Sequence, residues 1–290
     1  MSSGTSADRV WSLPSSPPLS TANYAGFVLS NHTHGNHMFY WFVESSKAAS
    51  GESPPGDLPL IIWLNGGPGA SSITGLLIEG IGPLGLADDG QSLTPNAAPW
   101  TDLGHVLALD NPVGSGFSYS ERGLEGLAHS LEQIAKELRT ALLAFYELHP
   151  LYARCPLYLA GESFAGKYIP FLATHIRHAN AHATRQVPLA GVAIGNGVLQ
   201  PLRQYTSLLQ VAPALGYADD TILPGMRARL AECEAKLAAE AYKEAYAACQ
   251  SVEDGIYGGA LPFVYDVRET SDKFDAVSYT HLTLPTTPYV

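Results

Sequence analysis

A serine set among small residues, Gly161-Glu162-Ser163-Phe164-Ala165-Gly166, follows the apolar run Pro156 to Ala160 and precedes a helical pattern. In that context a tight strand-to-helix turn lifts the hydroxyl above a sheet, where it serves as the nucleophile of an acyl transfer. The last position of the usual G-x-S-x-G pattern is Ala165 rather than glycine. Acyl transfer also needs backbone N–H donors aimed at the developing oxyanion, one from the residue after the nucleophile and one from an early glycine-rich loop. Phe164 supplies the first, and Gly67, within Asn65-Gly66-Gly67-Pro68-Gly69-Ala70-Ser71-Ser72, fits the second. The competing reading of that loop is phosphate or dinucleotide binding, with Asp88 or Asp89 about 20 residues on. Against it stand Ser72 in place of the third glycine, Pro68 without an amide, and no lysine after the loop.

The elements that must position these residues alternate. Phe27-Val28-Leu29 and Met38 to Val43 flank the turn-forming Ser30 to His37 and read as a hairpin at a sheet edge. Buried-strand runs follow at Leu58 to Leu64, His105 to Asp110, Pro156 to Ala160 and Leu189 to Ile194. The clearest helix runs from Leu127 to Phe145 by three- and four-residue steps and stops at His149-Pro150; a second continues from Tyr168 through Pro170 to Ile176. This alternation predicts an α/β fold, a mostly parallel sheet covered on both faces, with ligand sites at the carboxyl ends of its strands. Three of the glycine-bearing segments, at Asn65, Asp110 to Tyr119 and Gly195-Asn196-Gly197, stand at such ends. Beyond Gln200 the sequence turns to Ala/Leu/Glu/Lys-rich helix, read as an inserted helical cap. The domain reading is a core over 8–199, a cap over 200–270 and a non-native tail over 277–290, which resembles translated adapter sequence and is set aside.

With 46% apolar and 15% charged residues among 290, the chain is no solvating, disordered polymer. Its net charge of −11 and lack of any Lys/Arg block exclude a nucleic-acid or anionic-membrane partner. No apolar stretch reaches the ~18 residues of a membrane span, and Met1 to Val10 lacks the pattern of a secretory signal. Cys155, Cys233 and Cys249 have no metal-type spacing, so neither metal nor cofactor is expected. Met226 to Gln250 contains no glycine or proline and reads as one helix; at ~1.5 Å per residue Cys233 and Cys249 then lie about 24 Å apart, too far for a disulfide. A helical hairpin would bring them together; the alternatives are partners elsewhere or buried thiols. Asn31-His32-Thr33 is an N-glycosylation sequon in a polar turn.

Four ordered motifs, the Asn65 to Ser72 loop, Asp110-Asn111-Pro112-Val113-Gly114-Ser115-Gly116-Phe117-Ser118-Tyr119, Gly161 to Gly166, and Gly195-Asn196-Gly197, together resemble the serine carboxypeptidases, an α/β-hydrolase family. The resemblance runs from Asp8-Arg9-Val10-Trp11 to about Arg268. It implies Ser163 as nucleophile, the amides of Gly67 and Phe164 as oxyanion hole, and Asn65, Gly66, Glu79 and Glu162 as the grip on a peptide substrate's terminal carboxylate. It also implies hydrolysis of C-terminal peptide bonds at acidic pH, in a vacuole or lysosome or outside the cell. Ala70 stands where many relatives carry a cysteine, Gln200 where Asp is frequent, and Phe164 where Tyr is commoner. The family's Asp and His lie beyond the end of this sequence. The 290-residue chain alone is therefore expected to be inactive and to expose an apolar sheet edge. Two other readings remain: an acyltransferase of the same fold, and a relative that binds without turnover.

Overall fold

The computed structural model describes residues 7–257, 262–263 and 266–270. The chain divides into two compact units, the second beginning at Val198.

In the first unit the strands of the main sheet are β1 (Arg9–Val10), β2 (Asn23–Asn31), β3 (Asn36–Val43), β4 (Leu60–Leu64), β5 (His105–Leu109), β6 (Tyr119–Ser120), β7 (Leu157–Glu162) and β8 (Leu189–Gly195). They form one sheet in the order β1-β2-β3-β5-β4-β7-β8, with β6 pairing β3. The hairpin end is antiparallel, while β5, β4, β7 and β8 run parallel. The chain leaves β4 to one side and, after β5, crosses back to the other. Strand order therefore reverses about β4, and the crevice at the carboxyl ends there is where such sheets bind ligands.

Period-two alternation builds both faces. Leu60, Ile62 and Leu64 pack with α2 (Leu131–Leu148) and α3 (Ala165–Asn180), which join β6 to β7 and β7 to β8, in one core cluster. Ile61 and Trp63 turn to the other face with Leu76 of α1 (Ser72–Leu77). Helix α2 begins at Leu131, not Leu127, because Ser130 caps it by accepting from Gln133 N, after a 3₁₀ turn over Gly123–Gly126. It ends as expected at His149, which is buried with Nε2 3.0 Å from Asp8 Oδ2, a tie that fastens the segment before β1 to the core. At β8, Val192 is 52% exposed, and among the described residues this strand is paired on one edge alone, with β7.

The second unit contains α4 (Pro201–Ala214), α5 (Leu223–Ala238) and α6 (Tyr242–Tyr257). The single helix read over Met226 to Gln250 is in fact a hairpin, broken after Ala238, with Glu240 at φ 55°. No local signal marks the break. Burying Leu230, Cys233, Ala245, Ala248, Cys249 and Val252 on facing sides outweighs the helix propensity of the linker. The fold brings the Cys233 and Cys249 Cα atoms to 4.7 Å, and the two are disulfide-bonded. Closing a loop of sixteen residues stabilises this unit by about 3 kcal/mol in the chain-entropy account. Cys233→Ser with Cys249→Ser should therefore lower its unfolding free energy by that order in denaturant titration; an unchanged transition would show that the crosslink contributes nothing. Cys155 is the free, buried thiol, pushed by burial up to about 11. Among the described residues no helix is long and apolar enough to cross a membrane. Residues 277–290 lie outside those described.

Candidate active site

Ser163 follows β7 directly and occupies the left-handed region at φ 56°, a conformation that costs a non-glycine residue energy and is held by its surroundings. Its amide donates to Gly195 O (3.0 Å) at the end of β8, and its carbonyl accepts from Gly166 N (3.0 Å) in the first turn of α3. The turn is tight enough that a Cβ on Gly161 would collide with Leu64 O and lie 2.8 Å from Ala165 Cβ. Ala165, the departure from the usual glycine, is fully buried with its methyl in that space. Phe164 sits at the N-cap of α3, where the N–H has no intrahelical carbonyl to bond.

The loop after β4 lies against this turn. A Cβ on Gly66 would stand 2.6 Å from both Phe164 N and Ser163 Cβ, and 2.9 Å from Glu162 O. Only glycine allows so close an approach of the two backbones. Gly67 follows at φ 107°, also a conformation suited to glycine, and is solvent-exposed before Pro68.

Asn65 is buried, with each side-chain atom engaged: Oδ1 accepts from Trp63 Nε1 (2.7 Å) and Nδ2 donates to Glu79 Oε1 (2.7 Å). The closeness of Gly75 to Trp63 Nε1 and Asn65 Oδ1 leaves no room for a side chain there. Glu79 has exposed surface overall, yet its carboxyl end is desolvated. That burial, reinforced by the Glu162 carboxylate, raises its pKa above the ordinary value against the lowering effect of the Asn65 amide. Asn65, Gly66, Glu79, Glu162, Ser163 and Phe164 are thus brought to one place from three separate segments.

Asp110 was noted in the sequence only as part of a strand-end loop, but it is a hub. Fully buried after β5, it accepts hydrogen bonds from Ser71 Oγ, Ser72 N and Phe117 N. Burial raises its pKa while these donors oppose the shift. The signal available in the sequence was an acid at a strand end between two glycine-rich loops. Of the histidines among the described residues, His105 is buried between Ser45 N and Pro55 O, His37 pairs with Glu121, and His129 and His178 are exposed. Asn31 is the last residue of β2, and its Nδ2 donates to Glu137 Oε1 (2.9 Å).

Comparison with known proteins agrees with this architecture. A family model described as serine carboxypeptidase matches residues 14–283. The probable serine carboxypeptidase CPVL of Mus musculus is 29% identical over 264 residues, covering 91% of this chain and 53% of that protein. The pheromone-processing carboxypeptidase KEX1 of Chaetomium globosum is 39% identical over 206 residues, covering 70% of this chain and 30% of that one. The crystal structure of a prohormone-processing carboxypeptidase from Saccharomyces cerevisiae superposes with a TM-score of 0.71 at 28% identity, over 81% of this chain and 52% of that chain. The chain spans about half the length of the first of these relatives and less of the second. With the sheet, the serine turn and the glycine loop in the arrangement described, the chain belongs to the serine carboxypeptidase family.

Proposed function

We propose that the protein carrying this chain is a serine-type carboxypeptidase that releases C-terminal residues from peptides. The observation that carries this reading is the seating of Gly66 against Ser163 and the Phe164 amide, which joins a nucleophile-bearing turn to a glycine loop rich in backbone donors. In the proposed reaction Ser163 Oγ attacks the scissile carbonyl carbon as a base removes its proton. The carbonyl oxygen becomes an oxyanion facing the Gly67 and Phe164 N–H groups. Collapse expels the C-terminal amino acid as the leaving amine, which takes a proton, and water then hydrolyses the acyl-serine. The family resemblance assigns the base to a histidine, oriented by an aspartate.

Asn65, Gly66, Glu79 and Glu162 form the proposed grip on the substrate's terminal carboxylate. Three carboxyl groups in one site cannot all ionise, so the enzyme must retain protons there and donate them to the substrate. The raised pKa of Glu79 supports that role. The sign follows: as pH rises through the shifted pKa, Glu79 ionises and repels the carboxylate, so KM climbs by about tenfold per pH unit. Glu79→Gln, which keeps a donor and cannot ionise, should flatten that climb in a KM profile. The same slope in variant and parent would remove Glu79 from the grip. An acidic, oxidising compartment, vacuolar, lysosomal or extracellular, fits both this pH range and the Cys233–Cys249 disulfide.

A further inference from the structure

We infer that Asp110 is a positioning residue for the proposed reaction, the buried carboxylate that fixes the Asn65 to Ser72 loop and the loop after β5 to each other and so sets the height of the glycine amides over Ser163. This inference rests on the reading of Ser163 as nucleophile.

Every polar contact of the Asp110 carboxylate that carries the argument comes from those two loops. Oδ1 accepts from Ser71 Oγ (2.6 Å) and Ser72 N (3.0 Å), on the strand β4 side. Oδ2 accepts from Phe117 N (2.9 Å), and Gly116, at φ 52°, passes so close to that oxygen that a side chain there would strike it. The backbone continues the tie: Ser118 Oγ donates to Asp110 O (2.7 Å) and accepts from Phe39 N (2.8 Å) of β3. From Ser72 the chain of bonds runs toward the nucleophile. Ser72 Oγ donates to Leu109 O (2.5 Å) and accepts from Asn65 N (3.2 Å), and the next residue, Gly66, rests on Ser163 and Phe164.

The chemistry explains why a carboxylate is needed. An ionised group buried with no cation beside it among the described residues is unfavourable unless its lone pairs are taken. Here both oxygens face donors. An asparagine would turn its NH₂ toward either the Ser71–Ser72 pair or the Phe117 amide, donor against donor, and one loop would come free. A free loop lets the oxyanion donors drift, and an ångström of misplacement costs about 10² in rate.

The test is Asp110→Asn in the active enzyme carrying this chain, read by kinetics and by amide hydrogen exchange. The expected result is a fall in kcat of about 10- to 100-fold with KM little changed, and faster exchange at residues 66–73 and 116–118 with β4 and β7 as protected as before. Should Asp110→Asn not fold, Ser71→Ala, which removes one donor, carries the same comparison at smaller amplitude. Unchanged kcat and loop exchange, or loss of protection spread equally over all strands, would overturn the positioning role. The two readings separate cleanly. If Ser163→Ala keeps full turnover the nucleophile is misassigned, while the exchange measurement still reports whether Asp110 holds the loops.

Discussion

Replacing Ser163 by alanine in the enzyme that carries this chain should reduce release of C-terminal residues by at least about 10⁴-fold, with KM little altered. The split follows from where the hydroxyl stands. Ser163 is placed by the backbone, through its amide to Gly195 O and its carbonyl to Gly166 N, and not by its side chain. Deleting Oγ therefore removes the attacking atom and leaves the turn, the N-cap amide of Phe164 and the Asn65–Glu79 pair in place. Alanine is also no harder to hold at φ 56° than serine, so the unfolding midpoint should move little. Steady-state kinetics on a blocked dipeptide, beside a thermal melt, would check both statements. Residual turnover within about tenfold of the parent would mean that another group attacks.

The second large effect belongs to a residue without a side chain. Gly66→Ala introduces a methyl 2.6 Å from Phe164 N and Ser163 Cβ, closer than real Cβ contacts come, and two of its three nearest neighbours are backbone atoms that cannot swing away. The two loops must separate. An oxyanion donor displaced from its acceptor costs about 10²–10³ in kcat, and the strain adds a destabilisation of about 1–3 kcal/mol. Activity and denaturant unfolding measured on the same preparation should show both losses. Parental kinetics from a folded Gly66→Ala enzyme would show that the glycine loop does not seat on the serine turn, and the proposed oxyanion hole would go with it.

These consequences were partly legible in the sequence, for a local reason. Ser163 sits between a short apolar strand and a helix within six residues, and the small residues Gly161, Ala165 and Gly166 announce the tight turn that the structure contains. The Leu60–Leu64 strand was visible for the same reason, an apolar run ended by glycines. What depends on distant packing was not visible from spacing. Glu79 reads as an ordinary solvated residue until the fold brings it to Asn65 and near Glu162; family resemblance, not pattern, singled it out. The break between α5 and α6 has no glycine or proline to mark it and is set by the face that Cys233 and Cys249 share. Asp110 looked like one polar residue in a flexible loop, because a hub is defined by donors 38 and 39 positions away.

The account stands on Ser163 and the amides of Gly67 and Phe164 acting on one oxygen. A peptide boronic acid bound to the active enzyme tests it most directly, because the tetrahedral boronate places an oxygen where the oxyanion forms. A crystal structure of that adduct should show boron bonded to Ser163 Oγ and one boronate oxygen within hydrogen-bond distance of both amides. Boron on another residue, or an oxygen turned away from the Gly67 amide into solvent, would contradict it.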